Sequence, residues 1–471
     1  MNFRPRIPSQ VCTFGHPVRL FRPHIQLSTP ASTFHSTSKN IQRHHQAEAR
    51  RLYSKMAPTK TVVAVLYQAL PPPMYGGVSK PPKPGGYRDS GADVAYTLSR
   101  SGTNVLTPVE EPDPANQDHW CFPDTQEGIL TALNKGATHL WANTVLFGEH
   151  PLQNSALLTP YEAEVRVIGQ PPLCADQFDD KSFVNDCLRR HGGLTLPKSW
   201  TIDDPRTLNG DKKAVQKTLD TVLASVKESD CPIVAKPVRG RGSHGVKICR
   251  NSVELSEHIA NLFDESPRVL VEEYLNGEEG TITIMPPCQG DVPEQEPSDR
   301  FTRHWALPPV TRFNHVDGIA PYSGKVAVTL NSRAVAAEEV DADPAYGAIM
   351  RECETVAGLL QTRAPLRIDI RRFGPKSRFA LFDINMKPNI TGPGRPGRDD
   401  QTSLMGLAAD SMGWDYATFL KYVLASAPKL GELRNYDSPL LRESWIVHPR
   451  CYPGHETVLS HRSKMQEAKM L

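Results

Sequence analysis

No stretch of this 471-residue chain stays apolar for anything near the roughly 20 residues that cross a bilayer, which excludes a membrane-spanning helix. Its nine cysteines, at 12, 121, 174, 187, 231, 249, 288, 353 and 451, include no C-x-x-C pair and no histidine at ligand spacing. That scatter argues against structural zinc and for reduced thiols. The net charge is only +2, and beyond residue 55 the chain carries 45 bases against 51 acids, so the basic patch of a nucleic-acid binder is absent. What remains is an ordinary globular composition, 39% hydrophobic and 23% charged, long enough for two or three packed domains.

The first 55 residues hold nine Lys or Arg and one acid, Glu48, are rich in Ser, Thr and His, and lack the apolar core of a secretory signal. Those are marks of an organellar transit peptide. Arg51-Leu-Tyr53-Ser54 resembles a mitochondrial processing site cut after Arg-x-Tyr, so a mitochondrial location is expected, with the mature chain starting near Ser54. The competing expectations are a disordered extension, or initiation at Met56 in a cytoplasmic protein.

From residue 57 to 172 strand-like and helical runs alternate. Thr61–Tyr67 reads as a buried strand, Asp93–Ser101 as a helix stopped by Gly102, and Thr138–Ala142 as a second strand. This predicts a small parallel α/β domain, with Pro71–Gly86 a long loop at the carboxyl end of the first strand, where such sheets bind ligands. A second unit, 173–276, carries helical faces at Phe183, Val184, Cys187, Leu188 and at Val215, Leu219, Val222, Leu223, Val226. A third, 277–430, opens with a polar, proline-rich insertion, Pro286–Arg300, and includes the helix Tyr416–Leu424. Residues 431–471 read as an extension without clear pattern.

Lys236 ends the apolar run Cys231-Pro-Ile-Val-Ala and precedes Gly240-Arg-Gly-Ser-His-Gly245. A strand-borne lysine beside a glycine loop offers one cation and several backbone N–H groups to a phosphate chain. Arg367-Ile-Asp369 and Asp383-Ile-Asn385 lie on two short strand-like runs, and alternation puts Arg367 with Asp369, and Asp383 with Asn385, on common faces. Two carboxylates and an amide oxygen are hard ligands of the kind Mg²⁺ prefers, and buried carboxylates need a cation. The literal G-x-G-x-x-G is weak alone. A kinase would need H-R-D and D-F-G downstream, and a dinucleotide-binding turn would lead into a helix rather than another strand-like run.

These residues together resemble the ATP-grasp superfamily, and within it the D-alanine–D-alanine ligase-like carboxylate–amine ligases, over roughly 170–430. The resemblance implies an ATP-grasp fold: an N-terminal parallel α/β domain plus two α+β lobes clasping ATP. It also implies that Lys181, Lys236, Gly242, Ser243, His244 and Gly245 meet the phosphates. Glu272 and the Leu275 backbone would read the adenine edge, and Glu279 the ribose hydroxyls. Asp369, Asp383 and Asn385 would hold two Mg²⁺ ions, or Mn²⁺. Arg367 would stabilise the acyl-phosphate and tetrahedral intermediate. Lys325, in Tyr322-Ser-Gly-Lys325, matches a covering loop, and Ser403-Leu404 a contact to the second amino acid's carboxylate. The implied reaction joins a carboxylate and an amine, both small molecules such as amino acids, in a homodimeric enzyme with no nucleic-acid or membrane partner. The rival expectation is an ATP-binding regulatory or scaffold relative without ligase chemistry.

Two departures bear on substrate. Where the ligases follow Gly-Gly-x-Ser with a glutamate that holds an ammonium, this chain has Gly76-Gly-Val-Ser-Lys-Pro-Pro. An insertion, Gly392-Pro-Gly-Arg-Pro-Gly-Arg398, brings Arg395 and Arg398, expected to dock a substrate carboxylate. D-Alanyl-D-alanine is therefore not the expected product. Lys236→Met is expected to spare the adenine contacts, which sit on the hinge rather than the loop.

Overall fold

The computed structural model describes residues 60–75, 78–79, 82–206, 212–229, 232–240, 242–290, 299–315, 317–319, 328–436 and 438–440. Within them three larger sheets follow one another along the chain, besides one two-stranded hairpin. The first is built on β1 (Val62–Tyr67), whose Val63–Leu66 segment is buried on both faces, as an inner strand of a parallel sheet requires. The short hairpin β2 (Met74–Tyr75) and β3 (Val78–Ser79) occupies the segment expected as a plain loop. Around β1 run β4 (Asn104–Leu106), β5 (Phe122–Pro123), β6 (His139–Asn143) and β7 (Arg166–Ile168), all parallel, in the order β4-β1-β6-β7 with β5 also on β1. The helix Arg88–Arg100 covers one side through Ala92, Val94, Ala95 and Leu98.

The second sheet is antiparallel, in the order β10-β9-β11-β8, from β8 (Ser199–Asp203), β9 (Ile233–Pro237), β10 (Lys247–Cys249) and β11 (Arg268–Glu273). Ile233, Ala235, Val269 and Val271 point to the helices Lys212–Ser229 and Ser252–Leu262 and form one core with Val222, Leu255 and Ile259. Strand alternation therefore turns Lys236 and Glu272 to the opposite face.

The third sheet contains β12 (Glu279–Met285), β13 (Trp305–Ala306), β14 (Val310–Arg312), β15 (Ser332–Ala334), β16 (Leu366–Arg372) and β17 (Phe379–Asn385), ordered β15-β14-β12-β16-β17 with β13 also on β12. Ile282, Ile284, Leu366, Ile368 and Ile370 face the helix Pro344–Leu360 in a core that also takes in the helices Pro172–Phe178 and Lys181–His191. Fully burying each such side chain stabilises by roughly 1.5–3 kcal/mol. The other face carries Glu279, Thr281 and Thr283 opposite Arg371, Asp369 and Arg367.

Candidate active site

The pairing of β16 with β17 sets the site. Arg367 lies opposite Asn385 and Asp369 opposite Asp383, but Ile370 pairs with Leu381, so Phe382 is an extra residue in β17. A bulge of this kind re-aims the side chains next to it. Here Leu381 and Ile384 both reach the apolar core, while Asp383 and Asn385 join Arg367 and Asp369 on the polar face. Arg367 donates twice to Asp369, Nε to Oδ1 at 2.9 Å and Nη2 to Oδ2 at 3.1 Å, and Asn385 Nδ2 donates to the same Oδ2 at 3.1 Å. Burial alone would raise the Asp369 carboxyl, but the Arg367 charge and its hydrogen bonds, with Arg312 and Thr281, outweigh that and hold it below its ordinary value.

Two lysines from separate elements meet this strand. Lys181 opens its helix behind the cap Asp180, whose carboxylate accepts from Phe183 N at 2.9 Å. Its Nζ lies 3.2 Å from the Gly240 carbonyl and 3.3 Å from Asp383 Oδ1. Burial would lower this ammonium's pKa, yet Asp383, Asp179 and Glu272 raise it above its usual value. Lys236 Nζ donates to the Phe382 carbonyl at 3.3 Å and stands 2.5 Å from Glu272 Oε2. The bulge residue thus supplies a backbone acceptor for the Lys236 ammonium. Asn185 Nδ2 completes the Glu272 carboxylate at 3.2 Å.

The glycine loop takes left-handed backbone at Gly242, Ser243 and Gly245 (φ +64°, +59° and +70°). At Gly245 a Cβ would also come within 3.0 Å of Pro237 and Leu262, so glycine is required twice over. His244 turns outward, exposed, with Nε2 2.6 Å from Glu265. Arg239, just before the loop, lies 3.7 Å over the Tyr75 ring and 3.3 Å from Asp176, and the Tyr75 hydroxyl donates to the same Asp176. The hairpin after β1 is thereby tied to the loop's base.

Several expectations change with this geometry. Glu272 is buried against Lys236, so this lysine and carboxylate form one unit. Glu279 already accepts from Arg312 at 3.1 Å, His315 at 3.0 Å and Arg371 at 3.2 Å. Arg395 and Arg398 do not stand open for a substrate. Both close on the fully buried Asp93, at 2.9 and 2.8 Å, with Thr391 Oγ1 at 2.8 Å, because an unpaired guanidinium at that depth is costly. Ser403 is buried and caps the helix Leu404–Asp410, accepting from Gly406 N at 3.0 Å. The Leu275 side chain is buried between β11 and β12. Lys325, with Tyr322–Gly324, lies outside the described residues.

Arg312, Arg371 and Thr283 belong to the polar face but were not singled out by sequence, since a lone arginine or threonine on a strand carries no signal until its neighbours across the sheet are known. A divalent cation fits the donor set. Asp383 Oδ1 is buried and faces the Lys181 ammonium at 3.3 Å, beside a carboxylate and an amide that are hard oxygen donors. No cluster of three or more His, Cys, Asp or Glu stands among the described residues. Mg²⁺ takes one or two carboxylates and completes its shell with water and phosphate oxygens, and Asp369 and Asp383 are two.

Comparison with known proteins adds an independent line. A family model described as "D-ala D-ala ligase C-terminus" matches residues 206–306, a stretch holding Lys236, the glycine loop, Glu272 and Glu279 but ending before β16 and β17. The phosphoribosylamine–glycine ligase of Xanthomonas axonopodis pv. citri is 27% identical over 168 residues, 34% of this chain and 35% of that protein. The D-alanine–D-alanine ligase of Gloeobacter violaceus is 27% identical over 195 residues, 41% of this chain and 54% of that protein. The chain thus spans between a third and about half of these relatives' length. Among solved structures, the D-alanine–D-alanine ligase from Bacillus anthracis complexed with ATP aligns at TM-score 0.49 and 16% identity, covering 78% of this chain and 97% of that one. The chain resembles ATP-grasp ligases.

Proposed function

We propose that this protein is an ATP-dependent, ADP-forming carboxylate–amine ligase acting through an acyl-phosphate. One observation carries the reading. Lys181 and Lys236, from two different elements, both contact the 382–383 segment of the strand that bears Asp383 and Asn385. Phosphate-side cations and metal-side carboxylates therefore share one site, with the bidentate Arg367 beside them.

In this reading the γ-phosphoryl group passes to a substrate carboxylate oxygen, the bond to the ADP oxygen breaking as the new P–O bond forms. The amine nitrogen then attacks the acyl carbon, and phosphate leaves with the carboxylate's former oxygen. Mg²⁺ held by Asp369, Asp383 and Asn385 would neutralise charge on the phosphates when bound. Lys181 and Lys236 orient the phosphate chain, the glycine loop supplies N–H donors to it, and Arg367 faces charge developing on the acyl oxygens. The Glu272–Lys236 pair fixes the ammonium before nucleotide arrives. Arg312 and Arg371 hold Glu279 in one orientation for the ribose. No side-chain nucleophile is needed.

The test uses hydroxylamine as a general amine. Purified full-length protein with ATP, Mg²⁺, ¹⁸O-labelled carboxylic acids and hydroxylamine should form hydroxamate and ADP, with ¹⁸O appearing in phosphate. ADP formation without ¹⁸O transfer, at any carboxylate, would identify a plain ATPase or nucleotide-binding protein instead.

A further inference from the structure

The carboxyl ends of the parallel strands present a second polar cluster, apart from the nucleotide-side groups. Asn143 ends β6 and is buried, and both of its amide donors are used: Nδ2 reaches the Tyr87 carbonyl at 2.9 Å and Ser90 Oγ at 3.0 Å. That fixes its Oδ1 toward Lys387, whose Nζ lies 3.2 Å away. The same ammonium sits 3.6 Å from the centroid of the Tyr87 ring. Tyr87 follows two left-handed glycines, Gly85 and Gly86, and is itself left-handed at φ +67°. The two glycines adopt this backbone at no steric cost, but at Tyr87 it is strained, and strain of this kind persists where the surroundings enforce it. At Gly86 the reason is visible, since a Cβ there would come within 2.1 Å of the Gln68 carbonyl oxygen. The path delivers the Tyr87 ring and carbonyl to Lys387 and Asn143.

A cavity of about 60 Å³ opens at this point, lined among others by Trp141, Asn143, Gln170, Met386 and Lys387. That is more than the roughly 10–15 Å³ a single water needs, so the space admits a small polar group. Gln170 is satisfied by Ala364 O at 2.8 Å and Arg363 N at 2.9 Å, and Asn143 by Tyr87, Ser90 and Lys387, so recognition on this wall falls to the Lys387 ammonium. Carboxyl ends of parallel strands are the usual ligand side of such sheets.

Lys387 comes two residues after Asn385, so their Cα atoms are at most about 7 Å apart. A carboxylate positioned for phosphorylation near Asn385 and Arg367 and an anion held by Lys387 are close enough to belong to one small molecule. We propose that Lys387, oriented by Asn143 and Tyr87, binds a second carboxylate on the carboxylate substrate, making that substrate a short dicarboxylic acid. The inference rests on the ligase reading for the chemistry at the first carboxylate. The assignment of Lys387 as a binding residue rests on the geometry above.

Calorimetry on the full chain with ADP and Mg²⁺, using malonate, succinate and glutarate, each diacid's monoamide, and phosphonoacetate, tests this directly. At least one diacid should bind ten-fold or more tightly than its monoamide. Lys387→Gln, which keeps a donor for Asn143, should erase that difference while ADP affinity stays at the wild-type value, and Lys387→Arg should restore most of it. The same acids in the hydroxylamine assay should show the loss in KM rather than kcat. Equal binding of diacid and monoamide, a diacid preference that survives in Lys387→Gln, or no binding by any probe would each overturn the assignment. Phosphonoacetate binding above every diacid, and lost in Lys387→Gln, would overturn the dicarboxylate and make the held anion a phosphate. Diacid binding that depends on Lys387, with no hydroxamate from any acid, would sink the ligase reading and leave Lys387 as an anion-binding residue.

Discussion

Lys236 Nζ and Glu272 Oε2 stand 2.5 Å apart on adjacent strands β9 and β11, with side chains only 6% and 4% exposed. Neither charge has water to fall back on, so each is the other's solvent. Lys236→Met should therefore do more than remove a phosphate partner. It leaves the Glu272 carboxylate with Asn185 as its remaining hydrogen-bond donor among the described residues, and breaking a buried pair on one side costs about 3–5 kcal/mol. Urea unfolding should show that loss, and adenosine and ATP affinity should fall together. In Lys236→Met/Glu272→Gln much of the stability should return while ATP affinity stays low. Wild-type stability in the single variant would mean the pair is not buried as described.

Asp383→Asn removes the charge that faces Lys181 and the proposed metal. Loss of a metal ligand should weaken Mg²⁺-dependent nucleotide binding by more than the roughly 10–100-fold typical of groups one shell further out. Titrating Mg²⁺ against a fluorescent ATP analogue measures it. An unchanged Mg²⁺ midpoint in a folded variant would remove Asp383 from the metal set.

Asp93 holds Arg395, Arg398 and Thr391 from full burial, and so ties the 391–398 segment to the helix Arg88–Arg100. Asp93→Ala strands two guanidiniums, one of them deeply buried, and should destabilise by about 3–5 kcal/mol in urea. Asp93→Leu with Arg395→Met and Arg398→Met should recover a good part of it. A single variant within 1 kcal/mol of wild type (~1 kcal/mol being a small surface effect) would make the cluster a surface contact.

His139, half-buried at the start of β6, has its pKa pushed down to about 4 by burial and by the neighbouring Arg166, from an ordinary 6.5. Between those values the unfolded chain binds a proton that the folded chain refuses, so stability falls as pH drops from about 6.5 towards 4. Thermal melts across that window should show a shallower acid decline for His139→Gln than for wild type. Parallel curves would assign the decline to other groups.

Much of the site was legible from residue types. The apolar run Ile233-Val-Ala235 ending in Lys236 reads as a strand, and the sheet turns Ala235 into the core and Lys236 away from it. Leu366, Ile368 and Ile370 against Arg367, Asp369 and Arg371 likewise announce a strand with one apolar and one charged face. The helix over 212–229 followed directly from its 3.6-residue apolar spacing. Hidden from sequence were the pairings of charges far apart in the chain. Lys236 with Glu272, Glu279 with Arg312 and Arg371, Asp93 with Arg395, and Lys387 with Asn143 become visible only when strands are paired and sheets stacked.

β17 marks where one kind of information ends and the other begins. The sequence alone determined that Asp383 and Asn385 share a face, because side chains alternate along any strand. It could not say which face. Counting on from Phe379 and Leu381, both in the core, unbroken alternation would bury the carboxylate and the amide among Ile368, Ile370 and the helix Pro344–Leu360. The bulge at Phe382 shifts the count by one, so that Ile384 and Met386 take the apolar side and Asp383 and Asn385 come up beside Arg367 and Asp369. Only the pairing with β16 decides this: a one-residue slip moves every following side chain to the other side of the sheet, and here the slip puts carboxylates with cations and apolar groups with the core.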